Sequence, residues 1–380
     1  MMNKKLIIFA CILMTFIGCK LANDDEFITV DVAASVPEKE LTVQDFMDVE
    51  YVPLETNDDF VVPNNVAAIG ESYIVMRSRG NEGSLYFFDR HSGKALHKFN
   101  HRGQGPEEYA YVTGVILDEE NQEVFINDAG TAKMVVYDLQ GNFKRSFAHR
   151  EGGYYMTAVS YDSDHLIVYD ASQMSKGGEP RDKNYYLIIS KADGCVTDEV
   201  PLPYETIKST IVTSGEVTAA FSVEAIVPYQ DDFLICEAST DTIYRYTRQH
   251  KLIPFMAMEP TENPEQVLAM GASTRRYQFF TAFRKELIMP QMMIPSTPFV
   301  YDKEEHRPYE VTVYNADFKS PLEVRLNEMN ANSATAYTAI NADKIVEAYE
   351  EGKLQGPLLD LAASIDEEDN PVIMFMKEKQ

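Results

Sequence analysis

Cys19 is the residue whose surroundings dictate a chemistry most plainly. Lys4 and Lys5 open the chain, Leu6 to Ile17 is an apolar run, and Gly18 stands directly before the cysteine. A basic start, about a dozen apolar residues and a small residue make a cleaved export signal. The run is too short to span a bilayer as a mature helix. A cysteine in the first mature position offers its sulfur for a lipid. Residues 1–18 therefore read as a signal peptide and Cys19 as the lipidation site, with a membrane as partner through the lipid. The alternative is an ordinary secretory signal ending nearby, with Cys19 incidental.

Other chemistry is harder to find. No G-x-S-x-G elbow, H-E-x-x-H pair or phosphate-binding glycine loop occurs. His97 and His101 are four apart, but they sit at a strand end and in a loop, so helical metal spacing does not apply. Asp118-Glu119-Glu120 and Asp162-Ser163-Asp164-His165 are acid-rich, yet both read as hairpin turns and neither has the spacing of a calcium loop. No catalytic residue, metal ligand or cofactor is assigned. Acid pairs on separate strands leave no trace in sequence, so a lyase, lactonase or glycosidase stays open. Cys195 and Cys236 either pair or remain two free thiols, and the second is the default.

Composition narrows the partners. Across 380 residues, 60 Asp and Glu outnumber 34 Lys and Arg, for a formal charge of −26. Such a surface repels phosphate backbones, which excludes a nucleic-acid partner. Hydrophobic residues make up 45% of the chain, with 22 Tyr and 20 Phe, enough for an extensive core.

The elements that must position any site are strands. Val115-Ile116-Leu117, a polar turn and Val124-Phe125-Ile126 are followed by Met134 to Asp138, a turn at Gly141, and Phe143 to Phe147. Val66 to Ile69, Tyr73 to Met76, Leu85 to Asp89 and Ala95 to Phe99 repeat this order, and Phe88-Asp89 lies 49 residues before Tyr137-Asp138. Further copies start near Ala158 and Ala225. Short strands at a period of about 40 to 50 residues indicate propeller blades. The expected fold is all-β: a six-bladed β-propeller of four-stranded antiparallel blades over residues 41–380. Val49 to Leu54 would close the ring beside Val372 to Met376. Short helical insertions are expected at 343–350 and 357–363, and another after Asn263-Pro264-Glu265. Residues 19–40 read as a flexible acidic tether. A β-sandwich or two small β-domains is the alternative, but no linker interrupts the later chain.

Residues 101–109, His-Arg-Gly-Gln-Gly-Pro-Glu-Glu-Tyr, resemble a signature of the six-bladed β-propeller lipoproteins of Bacteroidetes-type bacteria, through Gly103, Gly105, Pro106, Glu108 and Tyr109. Tyr51 to Glu55 is similar to that family's opening strand, and Asn370-Pro371 with the following apolar strand to its ending. Lys20 to Glu26 resembles the tags that send such lipoproteins to the outer face of the outer membrane. The resemblance implies six NHL-like blades and no mechanism. Two readings of the glycine loop stay open. Either Glu108 and Tyr109 pin a bend between blades, or the bend faces the central funnel and Arg102, Glu108 and Tyr109 contact a ligand. Three functions follow: capture of a glycan, peptide or protein partner at the cell surface; a scaffold in an envelope complex; or an enzyme.

Labelled fatty acid is expected on the wild-type chain. Cys19→Ala is expected to abolish both that label and partition into the membrane fraction. A wild-type chain that never takes up label contradicts lipidation.

Overall fold

The computed structural model describes residues 27–221, 223–260, 265–320, 322–326 and 335–379. Cys19 and the acidic stretch after it lie outside the described residues. Blade 1 comprises Val66–Ile69, Tyr73–Arg77, Leu85–Asp89 and Ala95–Phe99. Blade 2 comprises Gly114–Asp118, Glu123–Asp128, Lys133–Asp138 and Phe143–Ala148. Blade 3 comprises Tyr155–Ser160, His165–Asp170, Tyr186–Ser190 and Val196–Glu199. Blade 4 comprises Ile226–Tyr229, Asp232–Ile235, Thr242–Tyr246 and Leu252–Met258. Blade 5 comprises Gln266–Ser273, Tyr277–Arg284, Ser296–Asp302 and Arg307–Asn315. In these five sheets antiparallel strands pair in chain order, and the first strands of neighbouring blades lie side by side. Together with blade 6 they form the six-bladed propeller.

Both faces of a blade are buried, which explains the apolar strands. Val124 and Ile126 join Val75, Phe87 and Val115 between blades 1 and 2. Phe125, between them, points the other way and joins Leu166, Val168 and Leu187 between blades 2 and 3. Successive strand residues face opposite sides, so a sheet packed on both sides needs an unbroken apolar run.

Blade 6 closes the ring. Its described strands are Ala336–Ile340, Val372–Glu378 and Met47–Pro53, with the last two antiparallel in the register Val372 with Pro53 and Glu378 with Met47. Asn370 locks this seam. Its side chain donates to the carbonyls of Glu55 and Phe60 and accepts from the Val62 amide, each at 2.8 Å. Its own amide donates to Thr56 Oγ1, and the Pro371 carbonyl accepts from Leu54 N–H. Gly93, at φ 70°, brings blade 1 against the seam: a Cβ there would lie 1.9 Å from the Pro53 carbonyl oxygen. Helices Ala342–Glu350 and Gly356–Ala362 sit where short helical insertions are expected, and Ile345 and Leu358 bury with Val311 and Val313 of blade 5.

Two expectations are corrected. The tether does not extend to residue 40. Ile28–Val30 adds a parallel strand to the outer edge of blade 4, and Glu38–Thr42 does the same on blade 5. Lys39 fixes the second strand, its Nζ lying 2.6 Å from the buried carboxylate of Asp302 and over the Tyr309 ring. The residues after Glu265 form the strand Gln266–Ser273 rather than a helix, because Val267, Leu268, Ala269 and Met270 are all buried in the blade stack. An unanticipated hairpin, Ile211–Ser214 with Val217–Ala220, stands between blades 3 and 4.

Asn370→Ala would strand the Val62 amide and the Glu55 carbonyl and leave the Phe60 carbonyl only its long contact with the Asn57 amide. Loss of about 1–3 kcal/mol of unfolding free energy is expected in urea titration. A change within experimental error contradicts the latch.

Candidate functional site

The first strand of a blade begins at the end of the ring where its antiparallel second strand finishes. Residues at those two positions, taken from successive blades, therefore converge around one mouth of the channel. They enclose a cavity of about 220 Å³. Arg77 ends the second strand of blade 1, Asn127 lies in the second strand of blade 2, Thr157 in the first strand of blade 3, and Glu224 just ahead of blade 4.

The electrostatics are unbalanced in a useful way. Arg77 Nη1 donates to the Val112 carbonyl at 2.5 Å, while its Nε is buried and makes no hydrogen bond. Burial pulls the guanidinium pKa below its ordinary value. Glu224 accepts from Thr157 Oγ1 at 2.9 Å, and burial raises its pKa. The guanidinium and the carboxyl line one cavity without forming an ion pair with each other. The mouth thus offers a buried donor and a separate acceptor to a polar ligand.

Asn127 is held from behind. Its Nδ2 donates to the Tyr155 carbonyl at 2.8 Å, and its Oδ1 accepts from His149 Nε2 at 3.0 Å. His149 Nδ1 accepts the Tyr155 amide at 3.3 Å, and the two rings stack with centroids 4.1 Å apart. Only the neutral imidazole with its proton on Nε2 satisfies both contacts. Burial pushes its pKa down to about 4, against the raising effect of Asp170 and Asp128.

The glycine loop lies elsewhere. Its carbonyls at Gly105, Pro106 and Glu107 accept from Lys133 Nζ, Ser146 Oγ and Tyr137 Oη, all on the third and fourth strands of blade 2. Tyr109 is fully buried; its hydroxyl donates to the Gly83 carbonyl at 2.6 Å and accepts the His101 amide at 3.1 Å. Glu108 Oε2 accepts the Gly105 amide at 2.8 Å, and a Cβ on Gly103 would lie 1.9 Å from that oxygen. Arg102 is exposed and pairs by its backbone with Tyr109. The bend therefore does not face the funnel, and Tyr109 is out of a ligand's reach. Glu108 borders a separate outer cavity of about 450 Å³ beside Pro106 and Phe143.

The acid-rich turns join blades. Glu119 accepts the amides of Glu71, Ser72 and Tyr73 of blade 1, and Asp118 pairs with Lys191 of blade 3 at 2.6 Å. Asp162 accepts from the amides of Asp164 and His165 in its own turn. Among the described residues no three His, Cys, Asp or Glu converge on a metal position. Cys195 is exposed and Cys236 buried, both as free thiols. Two of the four mouth residues carried a signal. In aligned blade copies, Arg77 and Asn127 are polar residues directly following Ile-Val-Met and Val-Phe-Ile.

In the unfolded chain His149 charges below about 6.5, while the folded ring resists protonation until about 4. Between those values the unfolded state binds more protons, so this group's contribution to stability falls as pH drops through that window. An NMR titration is expected to place the His149 ring near the lower value; titration near 6.5 contradicts its neutral, buried role.

Over 91% of this chain and 100% of its own, a protein of Bacteroides fragilis NCTC 9343 named as exported superposes with a TM-score of 0.60 at 14% identity. A DUF4221-family member from Bacteroides vulgatus covers 88% of this chain and 97% of its own, with a TM-score of 0.48 at 10% identity. At such identities the likeness concerns the fold alone. No curated protein matches the chain. The model of the domain of unknown function DUF4934 matches residues 27–377, and the chain belongs to that family.

Proposed function

We propose that the chain is a cell-envelope lipoprotein of NHL-like blades, held at the outer membrane through Cys19 and facing the cell surface. Its propeller captures a small acidic glycan or peptide at the channel mouth. The observation that carries this reading is the buried, unpartnered Nε of Arg77 in the same cavity as the carboxyl of Glu224. An anionic group meets the guanidinium, and a hydroxyl or amide donates to the carboxyl. The leader sequence and the exported name of the Bacteroides fragilis relative support the address. Only seven residues separate Cys19 from Phe27. They reach at most about 25 Å when fully extended. The outer edge of blade 4, where Ile28 pairs, is then kept near the lipid surface.

One observation favours a scaffold as the second reading. The connection after the second strand of blade 5 exposes Met289, Met292 and Met293 at 46%, 61% and 53%. Grouped exposed methionines suit an adaptable protein contact.

Thermal unfolding with galacturonic acid and with the dipeptide Gly-Asp tests the capture reading. At least one is expected to raise the midpoint in a saturable way, galactose is not, and Arg77→Gln is expected to remove the effect. An equal shift with galactose, or no shift with either acid, overturns it.

A further inference from the structure

A second chamber of about 170 Å³ adjoins the mouth, and Met156 and Val223 line both. Its character is different. Tyr169, Tyr186, Met174 and Phe221 form apolar walls, and Ala220 brings in the end of the hairpin between blades 3 and 4. The rings of Tyr169 and Tyr186 lie 4.9 Å apart between centroids. The size is close to that of a dry cavity of about 150 Å³ that admits benzene.

One wall is a carboxyl. Glu237 is 5% exposed. Its Oε1 accepts from the amide and hydroxyl of Ser239 at 2.9 and 2.6 Å, and its Oε2 accepts from Gln173 Nε2 at 3.0 Å. Gln173 is itself held by the Tyr204 hydroxyl, which donates to its Oε1 at 2.9 Å. All the groups that stabilise this acid are neutral; no Lys, Arg or His is among them, and burial raises its pKa. Nearby, Thr210 Oγ1 is buried without a hydrogen-bond partner. An acid taken out of water with only neutral partners lacks a counter-charge, and a buried hydroxyl with none lacks a ligand.

We propose that this chamber binds a small organic ammonium ion with an apolar body. The ammonium supplies the missing counter-charge at Glu237. The faces of Tyr169 and Tyr186 favour a cation, and Met156, Met174 and Phe221 enclose the hydrocarbon. Thr210 Oγ1 accepts a remaining N–H. The mouth and the chamber then select opposite charges, so the two sites stand or fall separately.

Calorimetric titration of the full chain with phenethylamine, 2-phenylethanol and phenylacetate tests this. Phenethylamine is expected to bind at least tenfold more tightly than the alcohol, and phenylacetate not to bind. Glu237→Gln keeps the shape and removes the charge; amine and alcohol are then expected within about threefold of each other. Ala220→Trp, at an exposed rim position, is expected to block the amine, which keeps the test open should Glu237→Gln fail to fold. Arg77→Gln is expected to leave amine binding unchanged. No binding of phenethylamine, equal binding of the alcohol, binding of phenylacetate, or an undiminished preference in Glu237→Gln each overturns the proposal.

Discussion

The structure depends on the pairing of Met47–Pro53 with Val372–Glu378. Opposite ends of the chain make one sheet, and Asn370 bonds across it to Val62, 308 residues away. Chain entropy opposes this closure, but the cost grows only with the logarithm of the loop. What closure gains is local and large. Val52, Ile373 and Phe375 are buried between blades 6 and 1 with Ile74 and Phe88. An open seam would leave those side chains and two strand edges to water.

Once the ring is closed, polar latches fix each blade against the next. Lys191 reaches Asp118 from blade 3 to blade 2, and both side chains are only 5% exposed. A buried pair of this kind adds little net stability but penalises any arrangement that breaks it. Glu119 does the same through three amides of the neighbouring turn. The acid run Asp118-Glu119-Glu120 thus serves as a blade register. The channel mouth inherits its geometry from these latches: Arg77, Asn127, Thr157 and Glu224 come from four blades and share a cavity only because those blades are held in register.

Much of the fold was legible because a blade buries both faces. Runs such as Val124-Phe125-Ile126 can satisfy nothing else, and their spacing sets the repeat. The closing strand was legible for the same reason. Ile28–Val30 and Glu38–Thr42 were not. The second, Glu-Lys-Glu-Leu-Thr, is polar, and both form only because blades 4 and 5 present free parallel edges far along the chain. Gln266–Ser273 followed a helix-start signal that tertiary burial overrode. The glycine loop advertised itself by composition, yet its glycines serve close packing against Glu108 and its tyrosine anchors a bend. The residues of the mouth are single polar groups spread over 77–224, and only the ring brings them together.

Native-state hydrogen exchange tests most directly whether the seam governs the ring. Amides of Met47–Pro53 and Val372–Glu378 are predicted to exchange with the same opening free energy as the buried second strands of blades 2 and 3, through unfolding of the whole ring. Exchange at the seam by a cheaper local opening, while blades 2 and 3 stay protected, would contradict that account.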